Sequence, residues 1–132
     1  KVVSDIREKV WAKVILNAAV NPLTGLLKKR TGELIGNPHL EAAVREIVQE
    51  SVAIAKASDV VAEENSILDK IWEVAKATKD NKSSMLQDLE RGRQTEIEAI
   101  NGALVLKAHA AGVPAPKNEL LATMVRCAEQ IK

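Results

Sequence analysis

The run Val10–Asn21 is apolar apart from Lys13, Asn17 and Asn21, which fall four residues apart. A helix accounts for that spacing: positions i, i+4 and i+8 stack along one face, stepping about 6 Å each with a slow angular drift. Apolar neighbours on every side predict that such a helix is mostly buried. A buried ammonium costs roughly several kcal/mol unless something pairs with it. The stripe therefore serves either an internal hydrogen-bond network or a ligand surface, and the spacing alone does not choose between them.

The rest of the chain reads as helical too, with no alternating strand. Ser4 is placed to cap the first helix, which runs into the twenties, and Pro22 is expected to end or kink it, having no amide hydrogen. Asn37 as N-cap with Pro38 at N1 opens a second helix to about Ala57, with Leu40, Val44, Ile47, Val48, Val52 and Ala55 facing inward. A third runs from Ala62 or Ser66 to Ala77. Two capping-box patterns follow, Ser84-x-x-Gln87 and Thr95-x-x-Glu98. The first starts a short helix stopping near Gly92, and the second a longer one to a C-cap at Gly112. Asn118 is expected to cap a last helix through Leu121, Met124, Val125 and Ala128. The fold class is all-α, one domain over residues 1–132, a compact bundle of about six helices.

Composition narrows the function. With 132 residues, 46% hydrophobic, the chain can bury a core, but two Trp and no Phe or Tyr leave no surface for stacking on bases. A net charge of +1 gives no electrostatic case for nucleic acid or an anionic membrane as partner. No apolar run along the sequence reaches the ~18 residues of a bilayer span. The single Cys127 cannot form an internal disulfide, so a reducing, cytoplasmic compartment is expected and packing is its expected role. His39 and His109 lack Cys or acidic residues at ligand spacing, and no metal is expected. Trp11 and Trp72 are expected to anchor the core or an interface. The chain opens on Lys1 rather than Met, so a piece of a longer protein is expected.

A second polar concentration lies at Asn81-Lys82-Ser83-Ser84 and continues to Glu96. Two capped helices explain Ser84, Gln87, Thr95 and Glu98; they do not explain Asn81 and Ser83. A helix N-terminus is also a ready anion site, so Ser84 could hold a carboxylate, while an acid such as Glu96 is favoured in a first turn.

Taken together, Trp11-Ala12-Lys13, Asn17, Asn21-Pro22-Leu23-Thr24-Gly25, then Ser83-Ser84-Met85-Leu86-Gln87-Asp88 and Gly92-Arg93-Gln94-Thr95-Glu96-Ile97, resemble the C-terminal domain of the ketopantoate reductases. Ile100-Asn101-Gly102 and Gly112-Val113-Pro114-Ala115-Pro116-Lys117-Asn118 resemble it as well, and the likeness runs from about Lys9 to Val125. The resemblance implies a helical domain of the 6-phosphogluconate dehydrogenase C-terminal-domain-like fold, partnered by an N-terminal Rossmann domain absent from this chain. It implies NADPH-dependent reduction of ketopantoate (2-dehydropantoate) to pantoate, on the route to pantothenate and coenzyme A. Lys13 is then the proton donor. Asn17, Asn21, Asn81, Ser83 and Ser84 line the substrate site with it, and Glu96 sits by substrate and cofactor.

One departure is Thr31, which stands where some members carry a further substrate-contacting asparagine and leaves the exact 2-oxo acid open. With no Gly-x-Gly-x-x-Gly after a strand, the chain alone is expected to be inactive. An apolar face left by the missing partner could support a homodimer. Two rival expectations remain: a reductase of another oxo or hydroxy acid, and a non-enzymatic helical dimerisation module whose polar stripe is a specificity network.

Overall fold

The computed structural model describes residues 2–131, with side chains from Ile6 onward. Six α-helices follow one another: α1 Val2–Leu27, α2 Pro38–Ala57, α3 Glu64–Ala77, α4 Ser84–Glu90, α5 Asn101–Ala111 and α6 Pro116–Gln130. Two 3₁₀ turns, Thr31–Leu34 and Ile97–Ala99, complete the element order, and no strand forms among the described residues. The all-α bundle read from periodicity is what the chain adopts.

Helix α1 is the axis of the bundle and packs against all five other helices. Its stretch Ile6–Leu27 is long and apolar enough to cross a membrane by length and composition, which the count along the sequence missed. Its contacts with all five other helices identify it instead as a core helix: Ile15, Ala18, Ala19, Val20 and Leu23 are buried, among Val44, Val48, Ile71, Leu104 and Val125 of its neighbours. Helix α1 begins ahead of Ser4, whose expected capping side chain lies outside the described residues.

Pro22 does not end α1; the helix runs on to Leu27. It stops where Lys28 turns left-handed (φ 56°) and the Lys29 amide closes on the Thr24 carbonyl at 3.0 Å. A proline at position 22 leaves the carbonyl of Ala18, four residues back, without its helical donor. Asn101 supplies one: its Nδ2 donates to the Ala18 carbonyl at 3.1 Å and to Asn118 Oδ1 at 3.0 Å. Asn118 Nδ2 in turn donates to Glu50 Oε2 (2.8 Å) and Ser51 Oγ (3.2 Å). Both asparagines are fully buried. The bulk of α1, α2, α5 and α6 is therefore tied together by one buried polar chain.

That chain also corrects the reading of α6. Asn118 is not its N-cap; the helix starts at Pro116, and Glu50 of α2 receives the amides of Lys117 (3.0 Å) and Asn118 (2.8 Å). A carboxylate from a neighbouring helix thus takes the place of a local cap, favoured by the positive end of the helix dipole. Helix α2 meets its expectation: Asn37 Oδ1 accepts from His39 and Leu40, and five of its six apolar positions are buried, with Val52 packed at the edge. Helix α3 starts at Glu64, between the two expected starts, and is capped by Glu63. Trp11 and Trp72 pack half-buried against the core, with the Arg45 guanidinium over the Trp72 ring. Met124 and Cys127, expected to pack inward, lie exposed on α6; Ala122 and Val125 fill the inner face.

Asn118→Ala removes one of two hydrogen-bond partners from each of Asn101 Nδ2 and Ser51 Oγ in a dry environment and takes a side-chain donor from Glu50. Urea unfolding of the chain should show a loss of about 2–4 kcal/mol. A loss near zero would mean that the buried asparagines contribute nothing to holding α5 and α6 on α1.

Candidate active site

Lys13, Asn17 and Asn21 share one face of α1, as their spacing requires. The burial expected for that face is not found: Lys13 is exposed, and Asn17 and Asn21 are half-buried. Ile6 and Val10 extend the same stripe towards the N-terminus, each 56% exposed. At 100° per residue all five fall within about 80° of arc. Among the described residues, none of the three polar side chains makes a hydrogen bond within the chain. The buried network lies on another face and is built from Asn101, Asn118, Glu50 and Ser51. The stripe is an open polar surface, not an internal network.

Helix α4 meets the C-terminal end of this stripe. Gly25 permits the approach, because a Cβ there would stand 3.1 Å from Met85 Cγ and 3.3 Å from Leu89 Cδ1. Thr24, buried and three residues past Asn21, places its hydroxyl 2.8 Å from Ser83 Oγ and 2.9 Å from the Val20 carbonyl. The N-cap of α4 is Ser83, not Ser84: its Oγ accepts from the Leu86 amide at 3.2 Å. Gln87 reaches back to the Lys82 carbonyl rather than closing a capping box. The Ser83 hydroxyl is thereby engaged in the fold, while Ser84, at the first helical position, stays exposed.

Asn81 is held by its backbone. Its carbonyl accepts from the Thr31 amide (3.0 Å) and hydroxyl (3.2 Å), and the Gly32 amide donates to Lys79 at 3.1 Å. The contact is so close that a Cβ on Gly32 would fall 2.5 Å from Lys79 Cβ. Thr31 is buried in this joint. It fixes the segment that carries Asn81 and does not present its own side chain at the surface. Asn21, Thr24, Ser83, Ser84 and Asn81 are thus gathered where α1, α4 and the Thr31 turn meet.

Glu96 comes from a different part of the bundle. The expected continuous helix from Thr95 is broken: a 3₁₀ turn spans Ile97–Ala99, the backbone leaves helical geometry at Ile100 (φ −114°, ψ −91°), and α5 begins at Asn101. Burial of both Ile97 and Ile100, with Asn101 turned into the core, accounts for the break. Glu98 does not return to Thr95; it receives Arg126 Nε and Nη2, each at 2.7 Å. That bidentate hydrogen bonding holds the Glu98 carboxyl below the usual glutamate value, so the pair keeps its charges into mild acid. Glu96 stands exposed before the turn, with no capping hydrogen bond from its side chain. Its link to α1 runs through Asn101, five residues on. His109 pairs with Glu119 at 3.0 Å, and among the described residues no three His, Cys, Asp or Glu side chains gather as a metal site would need.

The open surface offers an ammonium and two carboxamides on α1 and, past the stripe's C-terminal end, the Ser84 hydroxyl of α4; the Glu96 carboxylate stands apart, on a segment that packs against α5 and α6. Such a set suits a small anion bearing a polarised oxygen. Sequence reasoning missed Thr24, Asn101 and Asn118, which position the site; Pro22 was the available signal, since it announces a carbonyl in need of a donor.

Comparison with known proteins identifies the family and the fold. The family described as ketopantoate reductase PanE/ApbA C terminal matches residues 5–129. A 2-dehydropantoate 2-reductase of Archaeoglobus fulgidus is 39% identical over 96% of this chain and 42% of its own length. The crystal structure of a PanE/ApbA family ketopantoate reductase from Ralstonia eutropha JMP134 superposes with a TM-score of 0.85 at 35% identity, covering 94% of this chain and 41% of that one. A D-mandelate dehydrogenase solved with NADH and anilino(oxo)acetate superposes with a TM-score of 0.89 at 26% identity, over 95% of this chain and 41% of that one. The chain spans about 42% of the length of the curated relative.

The two serines separate by experiment. Ser83→Ala should cost about 1 kcal/mol in thermal or urea unfolding, as loss of an N-cap does. Ser84→Ala should change stability by less than about 0.5 kcal/mol. Equal costs would contradict the assignment of the cap.

Proposed function

The chain belongs to the C-terminal-domain family of the ketopantoate reductases, and from that premise we propose that it is the substrate-binding and catalytic domain of an NADPH-dependent reductase converting 2-dehydropantoate to pantoate. The observation that carries the reading is the open stripe of Lys13, Asn17 and Asn21, on a helix that goes on to meet the start of α4 through Thr24 and Ser83. A network meant to hold the domain together would satisfy these groups internally; here they are offered outward.

Reduction of a 2-oxo acid leaves negative charge on the former carbonyl oxygen. The Lys13 ammonium stabilises that charge and then gives its proton to the oxygen. Asn17 and Asn21 donate to the oxygens of the acid, and the Ser84 hydroxyl holds its far end, so that the keto carbon is presented in one orientation. A bound dihydronicotinamide supplies the hydride. This chain has no phosphate cradle for such a cofactor, lacking a strand among the described residues and any Gly-x-Gly-x-x-Gly. The Glu96 carboxylate fits a ribose hydroxyl or the nicotinamide amide and repels phosphate. Most of the cofactor site thus falls to an N-terminal Rossmann domain, for which the exposed Ile6 and Val10 beside Lys13 provide apolar surface. Covering that surface removes water from around Lys13 and strengthens its field at the reacting oxygen. A cytoplasmic setting suits a chain whose one cysteine is exposed and unbridged.

A second reading, reduction of another 2-oxo acid, is favoured by the buried Thr31 and by the likeness to the D-mandelate dehydrogenase. It keeps the same roles and changes the side chain of the substrate.

Lys13→Ala in the protein carrying its nucleotide-binding domain should lower kcat by about 10²–10⁴-fold. Its melting temperature should stay unchanged, because Lys13 is exposed. A near-normal kcat would remove Lys13 from the role of acid.

A further inference from the structure

Glu96 sits outside the α-helices, in a non-helical stretch leading into a three-residue turn. Yet residues on both sides of it are fastened to α6. The Thr95 hydroxyl donates to Glu129 Oε2 at 2.6 Å and its amide donates to the same oxygen at 2.9 Å. The Thr95 Oγ also accepts from the Ile97 amide at 3.2 Å, closing a small turn around Glu96 itself. Two residues beyond Glu96, Glu98 receives the two parallel bonds of Arg126. Arg126 and Glu129 are three apart on α6 and so lie on one face, a turn from each other. Gly102 leaves the room that the second pair needs, since a Cβ there would stand 2.9 Å from Glu98 Oε1.

A sequence that only needed to start a helix would turn Glu98 back to the Thr95 amide. Here both residues leave the local chain for α6, by charge-assisted bonds of opposite polarity, and Glu96 between them is left exposed. We propose that the Thr95–Glu129 and Glu98–Arg126 pairs are paired clamps that fix the direction of the Glu96 carboxylate towards substrate and cofactor, with Thr95, Glu98, Arg126 and Glu129 as positioning residues. The proposal rests on the role given to Glu96 above. An α6 displaced by a fraction of an ångström would move that carboxylate, so the outer face of the bundle is connected to the reaction without touching it.

The test is a double-mutant cycle in the protein carrying its nucleotide-binding domain, read as kcat and KM for the oxo acid and for NADPH. Thr95→Val, which keeps the backbone bond but loses the hydroxyl, should lower kcat/KM about tenfold, and Thr95→Ser should restore it. In a Glu96→Gln background the same Thr95→Val change should cost less than about twofold, because the group it positions is already lost. Arg126→Lys, which retains charge but not the two parallel bonds, should show the same dependence on Glu96. Thermal unfolding accompanies every variant, and Thr95→Val and Arg126→Lys provide independent routes if one folds poorly. A Thr95 or Arg126 effect of equal size in both backgrounds overturns the clamps and leaves Glu96 in its role. A Glu96→Gln protein with undiminished kcat/KM overturns both.

Discussion

Pro22 cannot give the Ala18 carbonyl its hydrogen bond, and Asn101 does so from another helix. Much of the domain depends on that substitution of partners. An orphaned carbonyl inside an apolar core costs about 1–3 kcal/mol, enough to fray a helix at its middle. By meeting it, Asn101 lets α1 continue through the proline to Leu27, which keeps Asn21 and Thr24 in register with Asn17 and Lys13. The same side chain is the first residue of α5 and is bound to Asn118 of α6, which is bound to Glu50 and Ser51 of α2. Amide orientation is fixed by this chemistry, because turning Asn101 over would set its oxygen against the Ala18 carbonyl. A buried polar chain of this kind specifies one packing of helices where the apolar side chains alone would permit several.

The polar stripe of α1 has the opposite character. Its groups face outward, and the large apolar residues beside them, Ile6 and Val10, are exposed in the same direction. A surface with those properties is what the proposed site asks of this domain. In the reductase proposed above, its polar groups would act once a second surface removes the solvent around them, and a curated relative more than twice as long as this chain has the length to supply one. The second group of candidate residues reaches the first by two mechanical routes: Thr24 to Ser83, and Thr31 to Asn81. Glu96 is joined through Asn101 at the start of α5 and through α6. The site is therefore assembled from separate segments by buried or ion-paired contacts that do no chemistry themselves.

These differences explain what the sequence could disclose. Periodicity and turn residues gave six helices, Asn37 as the N-cap of α2 and Gly112 as the left-handed end of α5, because each is a local decision. The resemblance in Lys13, Asn17, Asn21, Ser84 and Glu96 was legible because their order and spacing are linear properties. Where a distant partner outcompeted the local one, the sequence misled. Gln87 and Glu98 complete capping boxes on paper, but Lys82 and Arg126 engage them instead. Asn118 looks like a cap until Glu50 arrives from α2. Ser83 outranks Ser84 as a cap because Thr24 holds it there. The exposure of Lys13 was hidden for a related reason: apolar neighbours along the chain do not say which of them have a partner in space.

The most direct test of the account is NADPH oxidation by the protein carrying its nucleotide-binding domain, with ketopantoate beside a panel of other 2-oxo acids. The account predicts turnover of ketopantoate well above the other acids. Failure to reduce any 2-oxo acid, by a folded protein that binds NADPH, would contradict it.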